Sequence, residues 1–133
     1  MFKNIVVALD CGESSHRVLH TLNSLSLTAN SCIILTHILG KEGDESAVDR
    51  PHPSREIIED QLRCYQSQIA APSEIEVIFG DPAEEIIRLA NIYQADLIVI
   101  GSRGLTGVQR VIEDSVSSLV VAEATCSVLV VKA

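Results

Sequence analysis

The run Gly101-Ser102-Arg103-Gly104-Leu105-Thr106-Gly107 carries more chemical information than any other stretch of the chain. Glycines at 101, 104 and 107 would let a ligand approach the backbone closely, and Arg103 with the hydroxyls of Ser102, Thr106 and Ser115 supplies donors that suit phosphate. A helix starting near Ser115 would add the positive end of its dipole. The spacing matches neither of two common nucleotide motifs: no Gly-Lys-Ser/Thr closes the run, and no Gly-x-Gly-x-x-Gly follows the first apolar segment. On residue chemistry alone, a tight turn after a strand accounts for these glycines as well as a ligand does.

The other candidates are single residues. Asp10 follows the apolar run Asn4 to Leu9, where its carboxylate could accept a hydrogen bond from a ligand or close a turn through Gly12. His37 ends another apolar run and reads as a satisfied structural residue rather than a catalyst. Ser115 has no His and carboxylate arranged in a nucleophile motif, which favours a helix cap or a phosphate donor over a catalytic serine. Among the thiols Cys11 is best placed for reactivity, but Glu13 beside it opposes a lowered pKa, and redox sensing is a minor hypothesis. Cys11, Cys32, Cys64 and Cys126 form no Cys-x-x-Cys pair, and His16, His20 and His52 share no metal-ligand spacing, so neither a disulfide framework nor a zinc site is expected. No catalytic residue is named, and any metal ligand is unknown.

These residues must be held by elements whose periods can be read directly. Five short segments rich in β-branched residues read as strands: Asn4 to Leu9, Ser31 to Ile38, Glu74 to Phe79, Asp96 to Ile100 and Ser127 to Val131. Four are nearly continuous apolar runs, as in a parallel sheet covered on both faces. The third alternates, with Ile75, Val77 and Phe79 on one face, and is expected at an edge.

Between the strands the apolar spacing becomes helical. Val18, Leu22 and Leu25 line one helix capped by Ser14 or Ser15, and Ile58, Leu62, Tyr65 and Ile69 line a second. A third opens at Asp81-Pro82-Ala83-Glu84 with an Asp cap and a Pro in the first turn, and buries Ile86, Ala90 and Tyr93. A fourth is expected to start near Ser115 and to bury Val116, Leu119 and Val120. The alternation implies a three-layer α/β sandwich with right-handed crossovers, helices on both faces and ligands at the carboxyl ends of the strands. Gly40 to Ser54 reads as the one long loop.

Composition narrows the function classes. The 133 residues suit one domain, spanning 1–133, and 47% hydrophobic against 21% charged residues excludes a disordered chain. A formal charge of −8 has the wrong sign for binding a phosphate backbone, and with no Trp, two Tyr and two Phe there is little to stack on bases, so nucleic acid is set aside. The longest apolar runs fall far short of the roughly 20 residues of a membrane helix and no leader is evident, which predicts a cytoplasmic protein with no membrane partner.

With the elements in place, the sequence resembles the universal stress protein family over essentially its whole length. The resemblance rests on Asn4-Ile5-Val6-Val7-Ala8-Leu9-Asp10, the His37-Ile38 strand end, Gly80-Asp81-Pro82, Asp96-Leu97-Ile98-Val99-Ile100, Gly101-Ser102-Arg103-Gly104 and Cys126-Ser127-Val128-Leu129-Val130-Val131. It implies a five-stranded parallel sheet in the order 3-2-1-4-5 and a homodimer paired through the last strand, Ser127 to Val131. It also implies a regulatory protein of the stress response that binds ATP or another adenine nucleotide, with at most slow ATP hydrolysis. By resemblance Asp10 and Ile38 would meet the adenine region with Ala8 beside them, and Gly101, Arg103, Gly104, Ser115, Val116 and Ser117 would surround ribose and phosphates.

One position departs from the pattern. ATP-binding members resemble Gly-x-x-Gly, nine residues, then Gly-Ser or Gly-Thr, whereas nine residues after Gly104 this chain has Asp114-Ser115. An ionised Asp114 would stand beside the phosphates, and two like charges 4 Å apart at an effective dielectric of 20 repel by about 4 kcal/mol before water and salt reduce it. A bound Mg²⁺ taking Asp114 as an oxygen ligand would reverse that sign. The resemblance therefore implies weakened or altered nucleotide binding. The competing expectation is a dimeric interaction module that binds no nucleotide.

Overall fold

The computed structural model describes residues 2–10, 14–25, 27, 30–40, 55–102 and 108–132; for Ser14, Ser102 and residues 108–115 it describes the backbone alone. The chain runs β1 (Asn4–Ala8), α1 (Ser14–Ser24), β2 (Cys32–Leu39), α2 (Arg55–Gln66), β3 (Ser73–Phe79), α3 (Pro82–Ile92), β4 (Leu97–Ser102), α4 (Val108–Glu123) and β5 (Ser127–Lys132). The strands form one sheet in the order β3-β2-β1-β4-β5, and every neighbouring pair is parallel. The expected sandwich and strand order are what the chain forms, with strand ends moved by one or two residues. The long loop expected from Gly40 to Ser54 lies outside the described residues after Gly40.

Period-two alternation divides the core between the two faces of the sheet. Ile5, Val7, Ile33, Leu35, Leu97 and Val99 point to one side, where Val18, Leu19 and Leu22 of α1 and Ile58, Leu62 and Tyr65 of α2 cover them. Val6, Ile34, Ile98 and Ile100 point to the other, against Ala83, Ile86, Leu89 and Ala90 of α3 and Val120 of α4. Asp96, just before β4, accepts the N–H groups of Lys3 and Asn4 at 2.9 and 3.0 Å and ties the starts of the two central strands together. Those donors, Asn4 foremost, hold its carboxyl below the usual range.

α3 begins as its sequence predicts. Gly80 takes φ +154°, a value that L side chains rarely adopt, and turns the chain out of β3. Asp81 is the N-cap, its carboxylate accepting the Glu84 N–H at 3.1 Å, and Pro82 opens the helix. At the other end Gln94 takes φ 51° and the Ala95 N–H reaches back to the Ala90 carbonyl at 2.8 Å, a Schellman closure with glutamine where glycine is usual.

Three expectations are corrected. Helix α4 starts at Val108, not near Ser115. Val108, Val111, Ile112 and Val116 continue the helical period backwards, and at the one position where the family pattern supplies a glycine the chain has Asp114, which a helix accommodates. The buried face of α4 is also rotated: Val120 is fully buried, Ser117 is 7% exposed and Leu119 is 47% exposed. Positions 117, 120 and 124 share a face, and 119 falls outside it. Finally, α1 starts at Ser14, which places Ser15 within its first turn, where it has a different partner from the helix end.

Candidate functional site

The chain leaves β1 in one direction to build β2 and β3, then returns to build β4 and β5 on the other side, so the order reverses between β1 and β4. Ligand clefts of open α/β sheets lie at the carboxyl ends of such a pair. Here Ala8 is in register with Ile100 on one side and Thr36 on the other, and the Leu9 N–H extends the ladder by donating to the Thr36 carbonyl at 2.9 Å. Asp10 and Gly101 follow directly, and Ile38 lies two residues beyond Thr36.

The structure brings part of the expected set together. Ala8, Ile38 and Val116 all pack, partly buried, against the cluster on the α3 and α4 side. Gly101 is half-buried, level with Val131 of β5. Asp10 is half-buried, and one of its carboxylate oxygens accepts the Ser15 hydroxyl at 3.0 Å, which orients the carboxylate against the start of α1. Ser117 is buried within α4. Arg103 and Gly104 lie outside the described residues, as do the side chains of Asp114 and Ser115 and the whole of Cys11.

The helical course of α4 changes what the region expected to meet phosphate can offer. A helix leaves its first four N–H groups free and bonds each later one to the carbonyl four residues before it. With α4 starting at Val108, the N–H groups of Asp114, Ser115 and Val116 fall within that ladder. The backbone donors expected to face phosphate near Ser115 are therefore used inside the helix, and the free ones lie a turn or more upstream.

Two neighbours of the site escaped sequence reasoning. Ser15 supports Asp10, and no residue pattern distinguishes that role from capping. Thr36 is fully buried on the Ile34 and Ile38 side of β2, with no hydrogen-bond partner for its hydroxyl among the described residues. A lone Thr in a β-branched strand gives no signal of an unsatisfied group.

His37 has the structural partner expected of it. Its Nδ1 lies 2.7 Å from the Leu9 carbonyl, and because a carbonyl only accepts, that nitrogen carries the proton. The described cysteines, Cys32, Cys64 and Cys126, are unpaired, and burial raises the Cys126 thiol, away from reactive thiolate. Among the described residues no group of three His, Cys, Asp or Glu side chains is placed to hold a metal ion, and no helix is long and apolar enough to cross a membrane.

Proteins of known identity resemble this chain in sequence and in fold. A stress response protein of Bacillus subtilis, NhaX, is 30% identical over 160 aligned positions that cover 96% of each chain. Among solved structures, a universal stress protein in complex with cAMP superposes with a TM-score of 0.71 at 22% identity, over 98% of this chain and 97% of its own. The universal stress protein from Archaeoglobus fulgidus in complex with dAMP does so with a TM-score of 0.68 at 22% identity, over 98% of both chains. The sequence model of the universal stress protein family matches residues 1–132, and the chain belongs to that family.

Proposed function

We propose that this single-domain chain is a cytoplasmic, stress-responsive regulatory protein that binds an adenine nucleotide at the carboxyl ends of β1, β2 and β4. Ala8, Asp10, Ile38 and Gly101 hold the base and ribose, while Arg103, Gly104, Asp114, Ser115, Val116 and Ser117 form an altered phosphate region. The observation that supports this reading is that Asp10 and Gly101 lie at the carboxyl ends of β1 and β4, between which strand order reverses, with Ile38 at the carboxyl end of the adjacent β2. Relatives that superpose over nearly the whole chain were solved with cAMP and dAMP. The role in this reading is binding, with at most slow hydrolysis. The partner is a second copy joined through the outer edge of Ser127 to Val131, which among the described residues pairs only with β4; light scattering of the purified protein decides that point.

One observation favours the competing reading of a nucleotide-free interaction module, namely the continuation of α4 through Asp114. Calorimetry of the nucleotide-stripped protein with AMP and ATP, each with and without Mg²⁺, separates the two. The proposal expects AMP and ATP to bind within a few-fold of each other, because the backbone donors near Ser115 are unavailable. It expects Asp114→Gly to strengthen ATP binding by about tenfold by returning a helix breaker and removing a like charge. No heat with either nucleotide at millimolar concentration, before and after the substitution, sinks the nucleotide site. Binding of ATP that requires Mg²⁺ would show the ion holding the phosphates.

A further inference from the structure

β3 is an edge strand, paired with β2 on one side alone among the described residues. Two bonds bracket the strand: the Ile33 N–H donates to the Pro72 carbonyl at 3.1 Å, and the Gly80 N–H donates to the Leu39 carbonyl at 3.0 Å. In a parallel ladder the residues facing the neighbour alternate. Positions 74, 76 and 78 therefore bond to β2, and 73, 75, 77 and 79 turn their backbone groups outward. The chain caps the first of these itself, since the Gln66 Nε2 donates to the Ser73 carbonyl at 2.7 Å. For Ile75 and Val77 no described residue supplies such a partner.

These two residues lie in a cleft of about 540 Å³ between α2 and α3, the helices on opposite faces of the sheet. Its walls carry Arg55 and Glu59 from α2 and Glu85, Arg88 and Ile92 from α3. Both arginines are already engaged, Arg55 with Glu59 at 3.0 Å and Arg88 with Glu85 at 3.2 Å. Glu76, half-buried in the cleft, forms no ion pair among the described residues: its partner is the Tyr93 hydroxyl, which donates at 2.7 Å. Ile92 presents an apolar rim that is 61% exposed.

We propose that the β3 edge receives an extended segment of another protein in which basic and apolar side chains alternate. Its backbone completes the ladder at Ile75 and Val77. Its basic side chains fall on the α3 face against Glu76 and Glu74, and its apolar ones on the α2 face over Ile75 and Val77. The same acidic row disfavours a second copy, which would bring its own Glu74 and Glu76 to the edge, and the formal charge of −8 draws a basic partner.

The test uses the intact protein, isotope-labelled, and a labelled synthetic peptide of alternating valine and lysine, with the valine and glutamate version as control. The lysine peptide is expected to bind, to shift and protect the amide protons of Ile75 and Val77, and to lose about tenfold in affinity on Glu76→Lys, which should favour the glutamate peptide instead. Tyr93→Phe removes the hydroxyl contact while keeping the Glu76 charge, and is expected to retain binding. The proposal is overturned if the lysine peptide fails to bind at millimolar concentration. Binding indifferent to Glu76→Lys in a folded protein, shifts that map elsewhere, or the same amides protected without peptide at high protein concentration would overturn it as well.

Discussion

Helices α3 and α4 cover the same face of the sheet and start in different ways. α3, of 11 residues, begins at a cap in which Gly80 turns, Asp81 accepts the Glu84 N–H and Pro82 sets the first φ. α4, of 16 residues, runs back to Val108 and passes through Asp114 without interruption. The first start is decided locally, by groups that satisfy the free N–H donors within one turn. The second extends as far as apolar period and the lack of a breaker permit. Where the second helix starts sets which of its backbone N–H groups are left free and which bond within the helix.

The largest effect is expected on the face of α4. Val120→Ala should cost about 2 kcal/mol in denaturant unfolding, because a fully buried side chain leaves a cavity. Leu119→Ala should stay within about 0.5 kcal/mol. Equal costs would mean that α4 is rotated toward the face expected from sequence.

A smaller effect of opposite sign separates the two aspartates. Asp81→Ala should destabilise by about 1 kcal/mol through loss of the cap, whereas Asp114→Ala should stabilise by about 0.5 kcal/mol, since alanine is the better residue inside a helix. If both destabilise, Asp114 is at a helix start after all.

The smallest effect concerns the end of α3. The hydrogen bond to Glu76, followed by burial, pushes the Tyr93 phenol up to about 12, and ultraviolet titration should show one tyrosine ionising late. Glu76→Gln should return it toward 10. Because the folded value is the raised one, the stability it contributes is complete below pH 10 and is lost as pH rises from 10 to about 12. A late tyrosine that persists in Glu76→Gln would assign the shift to burial alone.

Most of the fold was legible because each strand and helix carries its own period, and α3 also carries its cap. What sequence could not show follows from missing local signals. Leu119 belongs to an apolar run in which several faces look alike, and only packing selects Val120 and Ser117. Asp114 reads as a departure from a motif, and that a helix runs through it emerges only in the folded chain. Of the candidate site, Asp10 and Gly101 were visible as residues following apolar strand runs, and Ile38 only through the family resemblance. Ser15 and Thr36 were not, since a hydroxyl announces neither its partner nor the absence of one.

The bond from Asp96 to Asn4 spans 92 positions, and it marks a feature of assembly. β1 is made first, yet its second neighbour in the sheet, β4, is nearly the last strand to appear. During synthesis this central apolar strand must wait with one edge unpaired until β4, about three quarters of the way along these 133 residues, has emerged. Pairings so distant in sequence slow the closing step of folding and leave a sticky intermediate open for longer. The central position that gives β1 two strand neighbours also leaves it open to misassembly until the second of them arrives.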